Sequence, residues 1–195
     1  MSINKAIDFL TVELDKYFDS KKGIPKDYVI NANISALHDQ PGGGGNSFSE
    51  KVIISLINIE EDRILKNPEN IVRSPIGLTT KNPRIFLNLY VLFAANRSVY
   101  LEALNDLSLT IRFFQLNNFF DHLTHPGLDN VIEKLVPELV NMNFEQLNHL
   151  WAMLGGKYLP SVLYKMRLVP IDENATAPAS PITQIIVDSK LKFQE

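Results

Sequence analysis

The stretch KVIISLINIE, residues 51–60, restricts the fold more than any other part of the chain. In an extended conformation successive side chains point to opposite faces, so Val52, Ile54 and Leu56 line one side while Ile53, Ser55 and Ile57 line the other. Both sides are largely apolar. A strand of that kind lies inside a sheet or turns one face to a partner. RIFLNLYVLFAAN (84–96) needs similar company, with Ile85, Leu87, Leu89, Val91 and Phe93 on one face. SVLYKMRLVPI (161–171) alternates cleanly: Val162, Tyr164, Met166 and Leu168 point inward, Lys165 and Arg167 outward.

Between these runs the apolar period changes to that of a helix. Ser2 can cap a first helix whose stripe is Ile3, Ile7, Leu10, Leu14 and Tyr17, running to about Ser20 before Gly23 and Pro25 stop it. YVINANI (28–34) reads as a short strand. A second helix starts at Ser98, with Tyr100, Leu104, Leu107, Ile111 and Phe114 as its stripe. VIEKLVPELVNM (131–142) fits a helix or a strand, and Pro137 favours an edge strand or a broken helix. Asn143 and Gln146 have capping-box spacing and open FEQLNHLWAML, which ends at Gly155-Gly156. Trp151 on this helix and Tyr164 on the next strand are expected to pack against each other's elements across that glycine turn. The order α-β-β-β-α-β-α-β predicts an α+β domain, a mainly antiparallel sheet with helices packed on one face.

Two segments lack core-forming patterns. Residues 63–83 contain three prolines and a glycine, without a clean period, and read as a long excursion of the kind that is usually functional or mobile. ENATAPASP (173–181) has the composition of a linker and leads to ITQIIVDSKLKF, where Ile182, Ile185, Ile186 and Val187 form a short β-prone run. The expected division is a domain over 1–172 and a linker with a C-terminal arm over 173–195.

The chain has 195 residues, 45% of them hydrophobic, which suffices for a substantial core. A net charge of −3, with no block of basic residues, argues against nucleic acid as a partner. Without cysteine there is neither a disulfide nor a thiolate metal site. Asp8, Glu13 and Asp15 interrupt the N-terminal apolar pattern, so the reading is of neither a signal peptide nor a membrane span.

The four glycines Gly42, Gly43, Gly44 and Gly45 invite comparison with a phosphate-binding loop. Such a loop opens a helix and usually carries a Lys-Ser/Thr pair. Here Asn46-Ser47-Phe48 supplies no lysine and the sequence continues as a strand, so a flexible connection is the reading. His122 and His125 form an H-x-x-H without an evident third ligand, and read as surface histidines near a helix end. His149 is expected to pack or hydrogen-bond beside Leu150 and Trp151, and Glu60, Glu61 and Asp62 to form a solvated strand end. The aromatic clusters at 89–93 and 112–120 read as core, and no G-x-S-x-G, H-E-x-x-H or G-x-G-x-x-G occurs. The residues therefore predict no catalytic group, cofactor or metal. They favour a body that makes contacts with other chains.

VIISLINIEEDRILKN, PRIFLNLYVLFAAN, YLEALNDLSLTIRFFQLNNFF and above all LNHLWAMLGGKYLPSVLYKMRLVPID resemble one family. It is the domain, long without assigned function, at the N-terminus of the tail-terminator (cap) proteins of phage-tail-like contractile injection systems. The antifeeding prophage and Photorhabdus virulence cassette particles are of this type. The resemblance runs from about residue 3 to 172 and implies a non-enzymatic hexameric ring that closes the membrane-distal end of the inner tube and the contractile sheath. It implies as partners further copies of the chain, as a homohexamer, and inner tube and sheath subunits, with no nucleic acid and no direct membrane contact. It also implies synthesis in the bacterial cytoplasm without a signal peptide, followed by incorporation into the particle. This chain ends soon after the shared region, which leaves open whether it caps tube, sheath or both, and whether a paralogue shares the task. The partner-binding candidates are Gly42, Gly43, Gly44 and Gly45, with Ile182, Ile185, Ile186 and Val187. The alternative is a small-ligand-binding module or an enzyme, with the 63–83 loop as a lid.

Overall fold

The computed structural model describes residues 3–39, 48–62, 71–74, 77–81, 85–170 and 176–178. It divides into two units, Met1–Leu65 with Ile85–Ile171, and Lys66–Arg84 with Asp172–Glu195. In chain order the elements are α1 (Ile3–Lys22), β1 (Val29–Asn31), α2 (Ala36–Asp39), β2 (Lys51–Glu61), β3 (Ile71–Ser74), β4 (Gly77–Lys81), β5 (Leu87–Asn96), α3 (Tyr100–Leu116), β6 (Phe120–Asp121), β7 (Ile132–Val140), α4 (Phe144–Met153), β8 (Ser161–Pro170) and β9 (Thr176–Pro178).

The first unit is built on a six-stranded sheet in the order β1-β2-β5-β8-β7-β6. All its pairings are antiparallel except β1 with β2. The α+β class and the mainly antiparallel sheet are as the sequence predicts. Strand β5 holds the centre because both its faces are apolar: Leu89, Val91 and Phe93 are buried on one side, Leu92 and Ala94 on the other.

Helices α1 and α3 cover the first of these faces. Ala6, Ile7, Phe9, Leu10, Leu14 and Phe18 of α1 join Phe113 and Phe114 of α3 against Val52, Ile54, Leu135, Tyr164, Met166 and Leu168. The aromatic cluster is core as expected, with Phe113 and Phe120 stacked and Phe114 against Tyr164 at 4.4 Å between centroids. A single helical face holds for α1 and α3 only. Helix α4 packs Leu150 and Trp151 on the opposite face with Leu92, Ala94, Leu163 and Ile34. Trp151 packs against strand β8 through Leu163, as expected, whereas Tyr164 lies on the other side of the sheet and does not meet α4. The cause is the pleat: Leu163 and Tyr164 are neighbours in sequence and face opposite ways.

Local signals set most boundaries. Gly23 has a φ of 72° and its N–H returns to Asp19 O at 2.9 Å, closing α1. The capping box of α4 is complete, with Asn143 Oδ1 accepting from Gln146 N and Gln146 Oε1 accepting from Asn143 N. Gly155 and Gly156, both at positive φ, end the helix. Segment 131–142 resolves as strand β7. Pro137 is tolerated because β6 pairs only with Lys134 and Leu135, leaving the outer edge of β7 beyond them unpaired among the described residues.

Helix α3 corrects its expected stripe. Its buried residues are Ala103, Asp106, Leu107, Thr110, Phe113 and Phe114, while Tyr100 and Leu104 are exposed. The helix is rotated so that two polar residues enter the core, which apolar periodicity does not foresee. Likewise Asp62 is buried and ion-paired with Arg167, whereas Glu60 and Glu61 are exposed as a solvated strand end should be.

The second unit carries a three-stranded sheet in the order β3-β4-β9. Part of the expected structureless excursion at 63–83 is thus a hairpin, with Ile71 opposite Thr80 and Ser74 opposite Gly77. Within the expected linker, Thr176–Pro178 pairs with Thr79–Lys81. The β-branched residues Ile71, Val72, Thr79 and Thr80 favour strands, and prolines and glycine between and around them obscured the signal.

Candidate functional site

The sequence-derived partner-binding residues Gly42, Gly43, Gly44 and Gly45, and Ile182, Ile185, Ile186 and Val187, lie outside the described residues. What the structure does describe is the exit of the glycine segment. Phe48 O accepts from Asn96 Nδ2 at 2.9 Å, and Glu50 Oε1 accepts from Ser98 N at 2.9 Å. Glu50 has a φ of 59°, unusual for a residue with a side chain. Hydrogen bonds from Ser98 hold its carboxyl below the usual carboxylate range. The start of β2 is thereby fastened to the β5–α3 turn.

Beneath that turn lies a buried charge cluster. Asp106, on α3, is fully buried and binds Lys22 Nζ and Arg97 Nε, each at 2.6 Å. Arg97 also reaches Glu50 at 3.6 Å, and Lys22 sits over the Tyr28 ring at 4.5 Å. Two cations around one carboxylate, with aromatic faces beside them, meet the requirement that buried charge be paired. The cluster fixes α1, β5 and α3 relative to one another.

Just outside it, the first turn of α3 presents Val99, Tyr100, Leu101 and Leu104 to solvent. Four neighbouring exposed apolar side chains on one rigid helix end have the composition of a contact surface. A second apolar patch surrounds α4: a groove of about 410 Å³ is lined by Val140, Met142, His149, Leu150 and Met153, with Phe144 exposed at the helix start. His149, expected to pack or hydrogen-bond beside Leu150 and Trp151, is exposed and lines this groove. Sequence reasoning missed both surfaces, because apolar residues in a helical register look like core until the rotation of the helix is known.

No group of three or more His, Asp or Glu side chains that could hold a metal occurs among the described residues. His125 stacks edge-on against Phe9 and Phe120 and its Nδ1 lies 2.9 Å from Thr124 Oγ1. Replacing His122 and His125 together by Ala is expected to leave bound zinc at background and assembly unchanged. Stoichiometric zinc, measured by elemental analysis and lost in that variant together with assembly, overturns this. No helix among the described residues is long and apolar enough to cross a membrane.

The model of the Pvc16 N-terminal domain matches residues 6–185. No curated protein sequence matches the chain. Among solved structures, the fold is similar to a PVC sheath/tube terminator of an extracellular contractile injection system in its extended state. The TM-score is 0.54 at 15% identity, over 94% of this chain and 64% of that one. It is also similar to the anti-feeding prophage cap, the AFP tube-terminating cap, with a TM-score of 0.50 at 14% identity over 71% of this chain and 49% of that one. The chain thus spans about half to two thirds of the length of these structures.

Proposed function

The chain belongs to the Pvc16 N-terminal domain family, and from that premise we propose that it is a structural cap of a phage-tail-like contractile injection system. The reading is carried by the family match over residues 6–185. It is supported by the likeness of fold to a sheath/tube terminator and a tube-terminating cap. Exposed apolar side chains on α3 and around α4 suit a protein whose work is contact rather than catalysis. In this reading copies of the chain form a hexameric ring at the membrane-distal end of the inner tube and sheath, without nucleic acid, membrane contact or cofactor. A closed ring follows from a head-to-tail interface whose rotation returns to the start. Cryo-electron microscopy of particles should show sixfold density for this chain at the tube end. A map with a fully resolved tube end and no such density overturns the assignment.

The C-terminal segment serves in this reading as an arm that adds a strand to a neighbouring ring subunit or to the sheath. Main-chain hydrogen bonds would supply affinity, and Ile182, Ile185, Ile186 and Val187 would fill pockets. The glycines Gly42–Gly45 would give the adjoining contact its adaptability. Deleting residues 180–195 is expected to leave the melting temperature of the remaining chain unchanged and to yield particles with unterminated or unstable ends. A truncated chain that unfolds, or that caps particles normally, removes the arm from the mechanism.

A further inference from the structure

The six-stranded sheet ends on both sides in a half-covered strand. On one side β1 covers β2 only at Val52–Ile54, and the Ser55 hydroxyl, bonded to Ala32 O and Ile34 N, closes that pairing. From Leu56 to Glu60 the outer edge of β2 has no strand partner among the described residues. On the other side β6 covers β7 only at Lys134 and Leu135, and Val136–Val140 has no strand partner on its outer edge among the described residues.

The two open edges match. Following the register across β5 and β8, Leu139 is level with Leu56 through Tyr164 and Val91, and Pro137 is level with Ile59 through Met166 and Leu89. Three successive antiparallel pairings make β2 and β7 run in opposite directions. A second copy placed alongside with its sheet in the same orientation therefore sets its β7 antiparallel to β2 of the first. The covered halves do not collide: β1 lies beyond the Val140 end of the incoming β7, and the incoming β6 lies beyond the Glu60 end of β2.

Side chains match as well. Leu56 and Ile59 are 37% and 43% exposed, and Leu139 is 46% exposed. All three lie on the face covered by α1 and α3, since their neighbours Val91, Leu89 and Tyr164 belong to that core. Edge pairing in the same orientation brings these apolar groups together on one face. Face matching leaves two registers, with Leu139 opposite Leu56 or opposite Ile59.

We infer that copies of this chain join head to tail by pairing the open edge of β2, Leu56–Glu60, with the open edge of β7, Val136–Val140, of the next copy. The inference rests on the ring reading above and names its subunit contact. In the level register, with Leu139 opposite Leu56, each copy adds little climb along the strands, which favours closure over an open helix. Pro137 removes one donor from the β7 edge, and the register shift between Leu56 and Asn58 bends β2. Both are devices by which edges reject arbitrary strands, so selection falls on the matched side chains.

The chain has no cysteine, so engineered disulfides report the contact without background. Opposed residues in an antiparallel pair are within disulfide range. Two variants, Leu56→Cys with Leu139→Cys and Ile59→Cys with Leu139→Cys, are oxidised in purified protein at high concentration and in cells producing complete particles. The expected result is a ladder of covalent multimers from at least one double variant and none from any single variant. A covalent dimer from Leu139→Cys alone indicates a two-fold contact and overturns the inference. So does the absence of interchain species in both double variants, whether the chain stays monomeric or assembles. If particles are capped normally in that second case, the cap reading stands and only the contact falls. As a measurement free of cysteine, Leu139→Lys should weaken self-association at least tenfold without moving the melting temperature; an unchanged association constant likewise overturns the inference.

Discussion

Asp106→Ala is expected to destabilise the domain by about 3–5 kcal/mol, the usual cost of removing one partner from a buried ion cluster. The carboxylate has no solvent exposure and accepts from Lys22 and Arg97 at 2.6 Å each. Without it the Arg97 side chain, almost as deeply buried, keeps its charge with Glu50 at 3.6 Å as its one remaining ion-pair partner among the described residues. An arginine does not escape by losing its proton, so the penalty remains as desolvation. Against a typical total of about 5–15 kcal/mol the loss is severe, and a drop in melting temperature on the order of 10 °C follows. Replacing Arg97 by Met in the same chain should recover part of the loss, because the uncompensated charge goes with it. Calorimetry of the three variants decides the matter. If Asp106→Ala melts with the parent chain, the cluster is not what holds α1, β5 and α3 together.

The same aspartate shows where the sequence was readable. Strands β2, β5 and β8 and helix α1 could be placed from their apolar period, and helix α4 from its capping box and closing glycines. Helix α3 could be located but not oriented. Tyr100 and Leu104 compete with Asp106 and Thr110 for the core, and apolarity favours the wrong pair. The polar pair wins because Lys22 and Arg97 come from elsewhere in the chain to receive Asp106, and Thr110 Oγ1 donates to Asp106 O at 2.9 Å. Such satisfaction depends on tertiary neighbours and leaves no local pattern. The contact surfaces were hidden for a related reason. A strand apolar on both faces signals burial, yet among the described residues a strand covers the outer edge of β2 only as far as Ile54. Where pairing stops is a matter of register between distant segments. Prolines and glycine similarly masked the β3–β4 hairpin, whose few β-branched residues carry a weak signal. The resemblance of NHLWAMLGGKYLPSVLYK to a terminator family reached further than these physical rules, and the match over 6–185 bears it out.

Trp151→Ala is expected to cost about 3–5 kcal/mol, as truncating a buried tryptophan commonly does. Trp151 is 4% exposed and anchors the smaller core on the α4 side, packed with Leu92, Ala94, Leu150, Leu154 and Leu163. Its ring meets Tyr158 edge-on at 5.6 Å, which ties α4 to the segment after the glycine turn. Phenylalanine separates shape from polarity at this site. The indole N–H is buried and meets no acceptor among the described residues. Trp151→Phe therefore gives up some packing but sheds an unpartnered donor, and should cost less than roughly 1.5 kcal/mol. Because this is the chain's single tryptophan, its fluorescence reports the site directly in the parent, and circular dichroism follows both variants. Denaturant titration should place Phe close to the parent and Ala far below it. Equal midpoints for Ala and the parent would mean that α4 is held without this ring. The apolar surface around the helix would then be free to move with it when a partner binds.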